Sequence, residues 1–248
     1  MRKAIHQKEK MKLKQIILAA LITISQIACA DEASLKKKIE AAYPKFEVES
    51  VVKTPYAGLY EVFMGGQIIY TDENLTFLIA EGHLVDPKTK KDITGERLEE
   101  LTKVDFNSLP LNKAIKVVKG NGSRKVAVFS DVDCPFCKKL EQDELSQMTN
   151  VTIYTFLYPL AQLHPNAAAK SKLIWCAEDR VKAWSNWIFN NQLPKTSGNC
   201  KVPLEEIGEL ARKVGVSSTP TLIFSDGKRM MGAQPHQAIE AAMRAASQ

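Results

Sequence analysis

One junction restricts the fold of this chain more than any other stretch. The apolar run Val126 to Phe129 leads through Ser130-Asp131-Val132-Asp133 into Cys134-Pro135-Phe136-Cys137 and then into a helix-prone segment. Consecutive apolar residues bounded by polar ones read as a strand buried on both faces. Proline is well placed early in a helix, where its missing amide hydrogen costs nothing. Two cysteines separated by two residues then lie about one helical turn apart. Backbone amides at a helix start favour negative charge, so Cys134 is expected to be an unusually acidic thiol with Cys137 within its reach.

The chain has 248 residues, 45% apolar and 25% charged, enough for two modest cores and without the composition of a disordered chain. The formal net charge of +6 is inflated by lysines and arginines in the first fourteen residues. That weakens any argument for nucleic-acid binding. Phosphate loops, glycine-rich nucleotide fingerprints and internal repeats are not found.

Lys12 and Lys14 precede the apolar run Ile16 to Ile24, and Ala28-Cys29-Ala30 has small residues at the cleavage-determining positions. Residues 1–30 therefore read as a secretory signal, started at Met1 or Met11, with the exported chain beginning near Asp31. The run is short for a membrane span. Cys29 has a second reading as a lipidated cysteine, against which Gln26 stands where an apolar residue is usual. Without Cys29 four cysteines remain, an even number in a chain bound for an oxidising compartment. Cys134 and Cys137 are neighbours, so the simplest connectivity pairs Cys176 with Cys200, a closure worth roughly 3 kcal/mol in the loop-entropy picture.

Ser34 to Ala42 is expected as a short amphipathic helix, and Phe46 to Val51 as a strand. Leu59 to Met64 and Gln67 to Tyr70 flank Gly65-Gly66 as a hairpin. Leu75 to Ala80 is a further strand candidate. Residues 31–91 thus make a small antiparallel sheet plus helix, cystatin-like, whose exposed edges invite pairing with a second copy. Residues 92–112 read as a linker helix. From 113 to 248 come strands at Ala114 to Val118 and Val126 to Phe129, and a long helix from the cysteines to about Met148. A strand at Val151 to Tyr158 follows, then helices at Asn166 to Cys176, Val181 to Asn190 and Leu204 to Val214. Strands at Leu222 to Phe224 and Arg229 to Met231 and a helix from His236 close the chain. That order is a thioredoxin-type α/β domain with inserted helices. Pro220 at a strand's first residue suggests a cis Thr219–Pro220 bond that leaves nearby backbone free to pair with an extended substrate.

Each chemical feature has a plainer alternative. The four cysteines could ligate zinc, but Cys176 and Cys200 are far apart where zinc motifs bring a closely spaced second pair. Asp131 and Asp133 would raise the Cys134 pKa while Lys138 and Lys139 lower it; alternatively Asp133 is a helix N-cap and the lysines a solvated face. No histidine is expected to be catalytic. Trp175, Trp184 and Trp187 read as core, as do Phe129 and Phe156, whereas Phe136 between the thiols is placed to meet apolar substrate.

Taken together, several stretches resemble one family. They are Asp133-Cys134-Pro135-Phe136-Cys137-Lys138-Lys139-Leu140, Ile174-Trp175-Cys176-Ala177-Glu178-Asp179, Cys200, Gly215-Val216-Ser217-Ser218-Thr219-Pro220-Thr221 and Gly232-Ala233-Gln234-Pro235. The chain is similar to the DsbC/DsbG family of periplasmic thiol:disulfide isomerases. The resemblance implies a periplasmic enzyme without a cofactor or metal, a homodimer joined through the N-terminal domains, and misfolded disulfide-containing exported proteins as substrates. It also implies a DsbD-type membrane reductase as electron donor. Cys134 and Cys137 would be catalytic, with Thr219, Pro220 and Phe136 meeting substrate and Cys176 and Cys200 structural. The dipeptide Pro135-Phe136 departs from the Gly-Tyr of familiar isomerases. That leaves oxidase or sulfenic-acid reductase of the same fold as alternatives, beside a redox-silent chaperone or metal-binding protein.

Overall fold

The computed structural model describes residues 31–247, so the signal segment and Cys29 lie outside the described residues. The chain divides into two compact units, one ending at Leu98 and the other beginning at Glu99.

In the first unit, helix α1 (residues 31–42) places Leu35 and Ile39, one turn apart, on a three-stranded antiparallel sheet. Its strands are β1 (Val48–Lys53), β2 (Tyr60–Met64) and β3 (Gln67–Thr71), in that order across the sheet. The core is Leu35, Ile39, Val48, Val51, Tyr60, Val62 and Met64. Gly65 and Gly66, with φ of 60° and 75°, turn β2 into β3. Two successive left-handed residues are what a two-residue hairpin loop demands, and glycine adopts them without strain.

The expected strand at Leu75 to Ala80 does not form. The segment makes a single bridge, Tyr70 to Ile79. The side chain of Asp72 takes the amide and hydroxyl of Thr76, and Leu75 sits at φ 57°, so local side-chain bonding bends the backbone out of a ladder. Helix α2 (Ile93–Leu101) carries the boundary between the units. Beyond it Asp105 caps a single 3-10 turn at Phe106–Ser108.

In the second unit a five-stranded sheet runs β4-β6-β5-β7-β8, with strands Ile115–Lys119, Arg124–Ser130, Val151–Leu157, Thr221–Phe224 and Arg229–Met231 numbered β4 to β8 in chain order. Only β5 and β6 are parallel. Alternation along β5 serves two cores. Ala127 and Phe129 pack with Phe156, Ile207 and Ala211, while Val126 and Val128 pack with Leu140, Leu145, Ile239 and Met243. That two-sided burial is why β5 reads as an unbroken apolar run. The helices are α3 (Pro135–Lys139), α4 (Ala167–Trp175), α5 (Arg180–Asn190), α6 (Leu204–Lys213) and α7 (His236–Ala245). A third cluster, holding Trp175, Trp184, Trp187, Ile188, Val132 and Leu157, fastens α4 and α5 to the strand ends.

The long helix expected from the cysteines to Met148 is instead broken. After α3 the chain makes a π-helical turn at Leu140–Glu144 and a 3-10 turn at Leu145–Gln147. The wider turn keeps Leu140 and Leu145 both facing the core, which a continuous α-helix would not do for residues five apart. No helix among the described residues is long and apolar enough to cross a membrane.

Candidate active site

Strand β5 ends in the interior, and the four residues after it stay close to the core. Asp131 and Val132 are fully buried, and Val132 joins the tryptophan cluster. Trp187 Nε1 donates to the Val132 carbonyl at 2.6 Å, and the Lys138 and Lys170 ammoniums lie 4.2 and 4.8 Å from the Trp187 ring centroid. The segment before the cysteines is thereby held from α3, α4 and α5 at once.

Cys134 is the N-cap of α3, its carbonyl accepting from the Lys138 amide at 3.1 Å. This corrects the reading of Asp133 as the cap. The Asp133 carboxylate instead pairs with Lys170 at 2.7 Å, and its amide donates to Asp131 Oδ1 at 2.8 Å. Pro135 follows Cys134 as the first helical residue. The helix then turns Cys137 wholly inward and leaves Phe136 62% exposed. Cys134 is 5% exposed, against none for Cys137.

The two thiols are electrostatically unequal. A hydrogen bond from the Cys137 thiol is the largest of the effects that bring the Cys134 thiol down to about 5. Burial opposes it, while the Cys137 amide, the Thr219 side chain and the Phe136 amide add further donors to the thiolate. Burial pushes the Cys137 thiol strongly up, and its bond to Cys134 adds to that. The Asp131 amide points at Cys137 Sγ from 3.4 Å. Donors at a helix start thus act as expected, but the neighbouring thiol does more. These surroundings favour the thiolate at Cys134 and the thiol at Cys137.

The loop before β7 closes the site. The Thr219–Pro220 bond is cis, and Cys134 Sγ lies 3.6 Å from the Thr219 carbonyl, to which the neutral thiol donates. The loop is pinned by Thr221 Oγ1 to the Ser218 carbonyl at 2.8 Å and by the Gly232 amide to the Pro220 carbonyl at 2.8 Å. Cys134, Cys137, Thr219 and Pro220 therefore share one place, with Phe136 on its rim. Cys176 and Cys200 are joined by a disulfide at the C-terminal end of α4, linking it to the segment that enters α6. Trp175 Nε1 donates to the Lys201 carbonyl beside it.

Two features escaped the sequence reading. Asp131 collects donors from three segments: the Asp133 amide, the Leu160 amide at 2.6 Å and His164 Nδ1 at 3.0 Å. Glu141, one turn past Cys137, is pushed up to about 7 by burial and accepts from Trp184 Nε1 at 3.3 Å. An acid directly after a buried strand was the only available signal for the first, and its partner thirty-three residues away carried none.

Comparison with known proteins places these features in context. Residues 111–247 match the thioredoxin-like domain family, and residues 26–95 match the disulfide bond isomerase protein N-terminal domain. A Bordetella parapertussis protein named probable thiol:disulfide interchange protein DsbC is 43% identical over 208 residues, 84% of this chain and 72% of that one. The Escherichia coli thiol:disulfide interchange protein DsbC is 26% identical over 228 residues, 91% of this chain and 92% of that one. Among solved structures, a disulfide interchange protein from Neisseria gonorrhoeae is 46% identical with a TM-score of 0.54, covering 56% of this chain and 99% of that one.

The inequality of the thiols has a direct readout. Alkylation of the reduced protein by iodoacetamide should modify Cys134 selectively, at a rate that follows its thiolate and falls away as pH drops through about 5. A rate that rises instead through the ordinary thiol range would contradict the geometry described.

Proposed function

This chain belongs to the DsbC family of thiol:disulfide interchange proteins, and from that premise we propose that it isomerises or reduces non-native disulfides of exported proteins in the periplasm through Cys134 and Cys137. The observation that carries the reading is the division of the pair into an acidic thiol at Cys134, beside the Thr219–Pro220 loop, and a more deeply buried Cys137 whose proton is held. The Cys134 thiolate attacks a client disulfide, forming a mixed disulfide and expelling the client's other sulfur as thiolate. Either a second client thiol attacks that bond and leaves a rearranged client, or Cys137, losing its proton, attacks Cys134 Sγ and releases reduced client. Phe136 on the rim and the Thr219–Pro220 loop supply apolar and backbone contacts for the client.

Isomerisation uses the first exit and needs the reduced pair. The oxidised pair left by the second exit has to be reduced again, and a DsbD-type membrane reductase is the donor we assign. A second reading, disulfide oxidase, is favoured by the acidity of Cys134. Stabilising the thiolate stabilises the reduced pair and so makes the disulfide more oxidising. The domain division proposed is 31–91 for dimerisation, 92–112 as linker and 113–248 as catalytic domain. Homodimerisation through the N-terminal domain is supported by the N-terminal family match and by exposed Phe77, Leu78, Ile79 and Val85.

Scrambled ribonuclease separates the readings. With a thiol reductant standing in for the membrane donor, the exported protein should restore activity to scrambled ribonuclease catalytically, and Cys134→Ser should lose at least about a hundredfold of that rate. Retention of activity by the variant would sink the mechanism. Stoichiometric oxidation of reduced ribonuclease with no reactivation of the scrambled form would favour the oxidase. Light scattering of residues 31–248 should report a dimer at micromolar concentration; a monomer would contradict the assembly.

A further inference from the structure

Asp131 is a carboxylate with no exposed surface, located three residues before the proposed nucleophile. Its backbone carbonyl accepts from the Cys134 amide at 3.2 Å, and its side chain is bonded by the Asp133 and Leu160 amides. The remaining donor is His164 Nδ1 at 3.0 Å, on a ring 23% exposed. His164 is itself fixed: its amide donates to the Leu160 carbonyl at 2.9 Å, and its carbonyl accepts from Ala167 at the start of α4. A buried negative charge three residues before Cys134, on the residue whose backbone carbonyl holds the Cys134 amide, disfavours the Cys134 thiolate unless a cation offsets it. The nearby lysines are engaged elsewhere, Lys170 with Asp133 and Lys138 with Asn191.

We propose that His164 is a positioning residue whose imidazolium, held against Asp131, offsets the carboxylate charge and thereby couples protonation of His164 to ionisation of Cys134. The ring touches Asp131, just past the end of β5, and the charges of Asp133 and Cys134 at the entry to α3 also act on it. All three favour the imidazolium, Asp131 by hydrogen bond most of all, against the opposing effect of burial. Linkage is reciprocal, so what the Cys134 thiolate does for the imidazolium the imidazolium does for the thiolate. Oxidation joins the Cys134 thiolate to the Cys137 thiol, passing two electrons and one proton to the client disulfide, which becomes one thiol and one thiolate. The negative charge at Cys134 disappears in that step. His164 then holds its proton less tightly, and the oxidised enzyme sheds part of that proton as pH approaches the imidazole midpoint.

This inference rests on Cys134 being the redox nucleophile. Its test is an NMR titration of the His164 ring in the exported full chain, assigned through bonds, in reduced and oxidised states. The reduced protein should show a midpoint higher by about half a unit or more. Coinciding midpoints would overturn the coupling. In His164→Asn, which keeps a donor for Asp131 but loses the charge, the ultraviolet thiolate titration of Cys134 should shift upward by about half a unit. That leaves roughly threefold less thiolate below the midpoint. Should this variant not fold, the wild-type comparison still decides. An unresponsive His164 in a protein inactivated by Cys134→Ser defeats only the coupling, whereas an enzyme indifferent to Cys134→Ser defeats the proposed function itself.

Discussion

The site depends on one constraint: a negative sulfur has to be held at the margin of an apolar interior. Charge in such a place is costly unless donors surround it. Here the donors come from the sulfur's own surroundings, chiefly the Cys137 thiol, then the Cys137 and Phe136 amides at the start of α3 and the Thr219 side chain. The same burial that makes Cys134 expensive to ionise makes Cys137 far more so, and this keeps Cys137 protonated as a donor. The asymmetry between two chemically identical side chains is thus a consequence of where β5 stops and how α3 begins.

Much of the second unit serves that placement. The sheet supplies a strand end buried on both faces, and the tryptophan cluster restrains the loop that follows it. Trp187 is the clearest case, since it fills the core, bonds the Val132 carbonyl and lies under two lysines beside the cysteines. The disulfide between Cys176 and Cys200 ties the inserted helical segment that contributes this tryptophan. Asp131 performs the corresponding task in polar form, joining the strand end, the 160–164 turn and the cysteine loop through one carboxylate.

How much of this was legible in the sequence follows from the range of the interactions involved. β5 and the helix start were readable because an apolar run and a proline beside a cysteine are local signals, and the Gly65-Gly66 hairpin because its backbone requirement is local too. Leu75 to Ala80 has strand composition, yet Asp72 and Thr76 bond each other and turn the chain so that it meets β3 at a single bridge. The helix after Cys137 has helical periodicity, but the core beneath it takes residues five apart, Leu140 and Leu145, and forces a wider turn. Asp133 reads locally either as a cap or as a charge beside the thiol; Lys170, thirty-seven residues away, claims its carboxylate. Nothing near His164 in sequence announces the buried carboxylate that it meets.

The central claim is that Cys134 alone meets the client and Cys137 stands behind it as donor and resolver. Removing the resolver tests this most directly. In the exported Cys137→Ala protein, clients should accumulate as mixed disulfides, and mass spectrometry should place every such bond on Cys134. Failure to trap any client, or adducts that form equally well when Cys134 is the cysteine removed, would contradict the account.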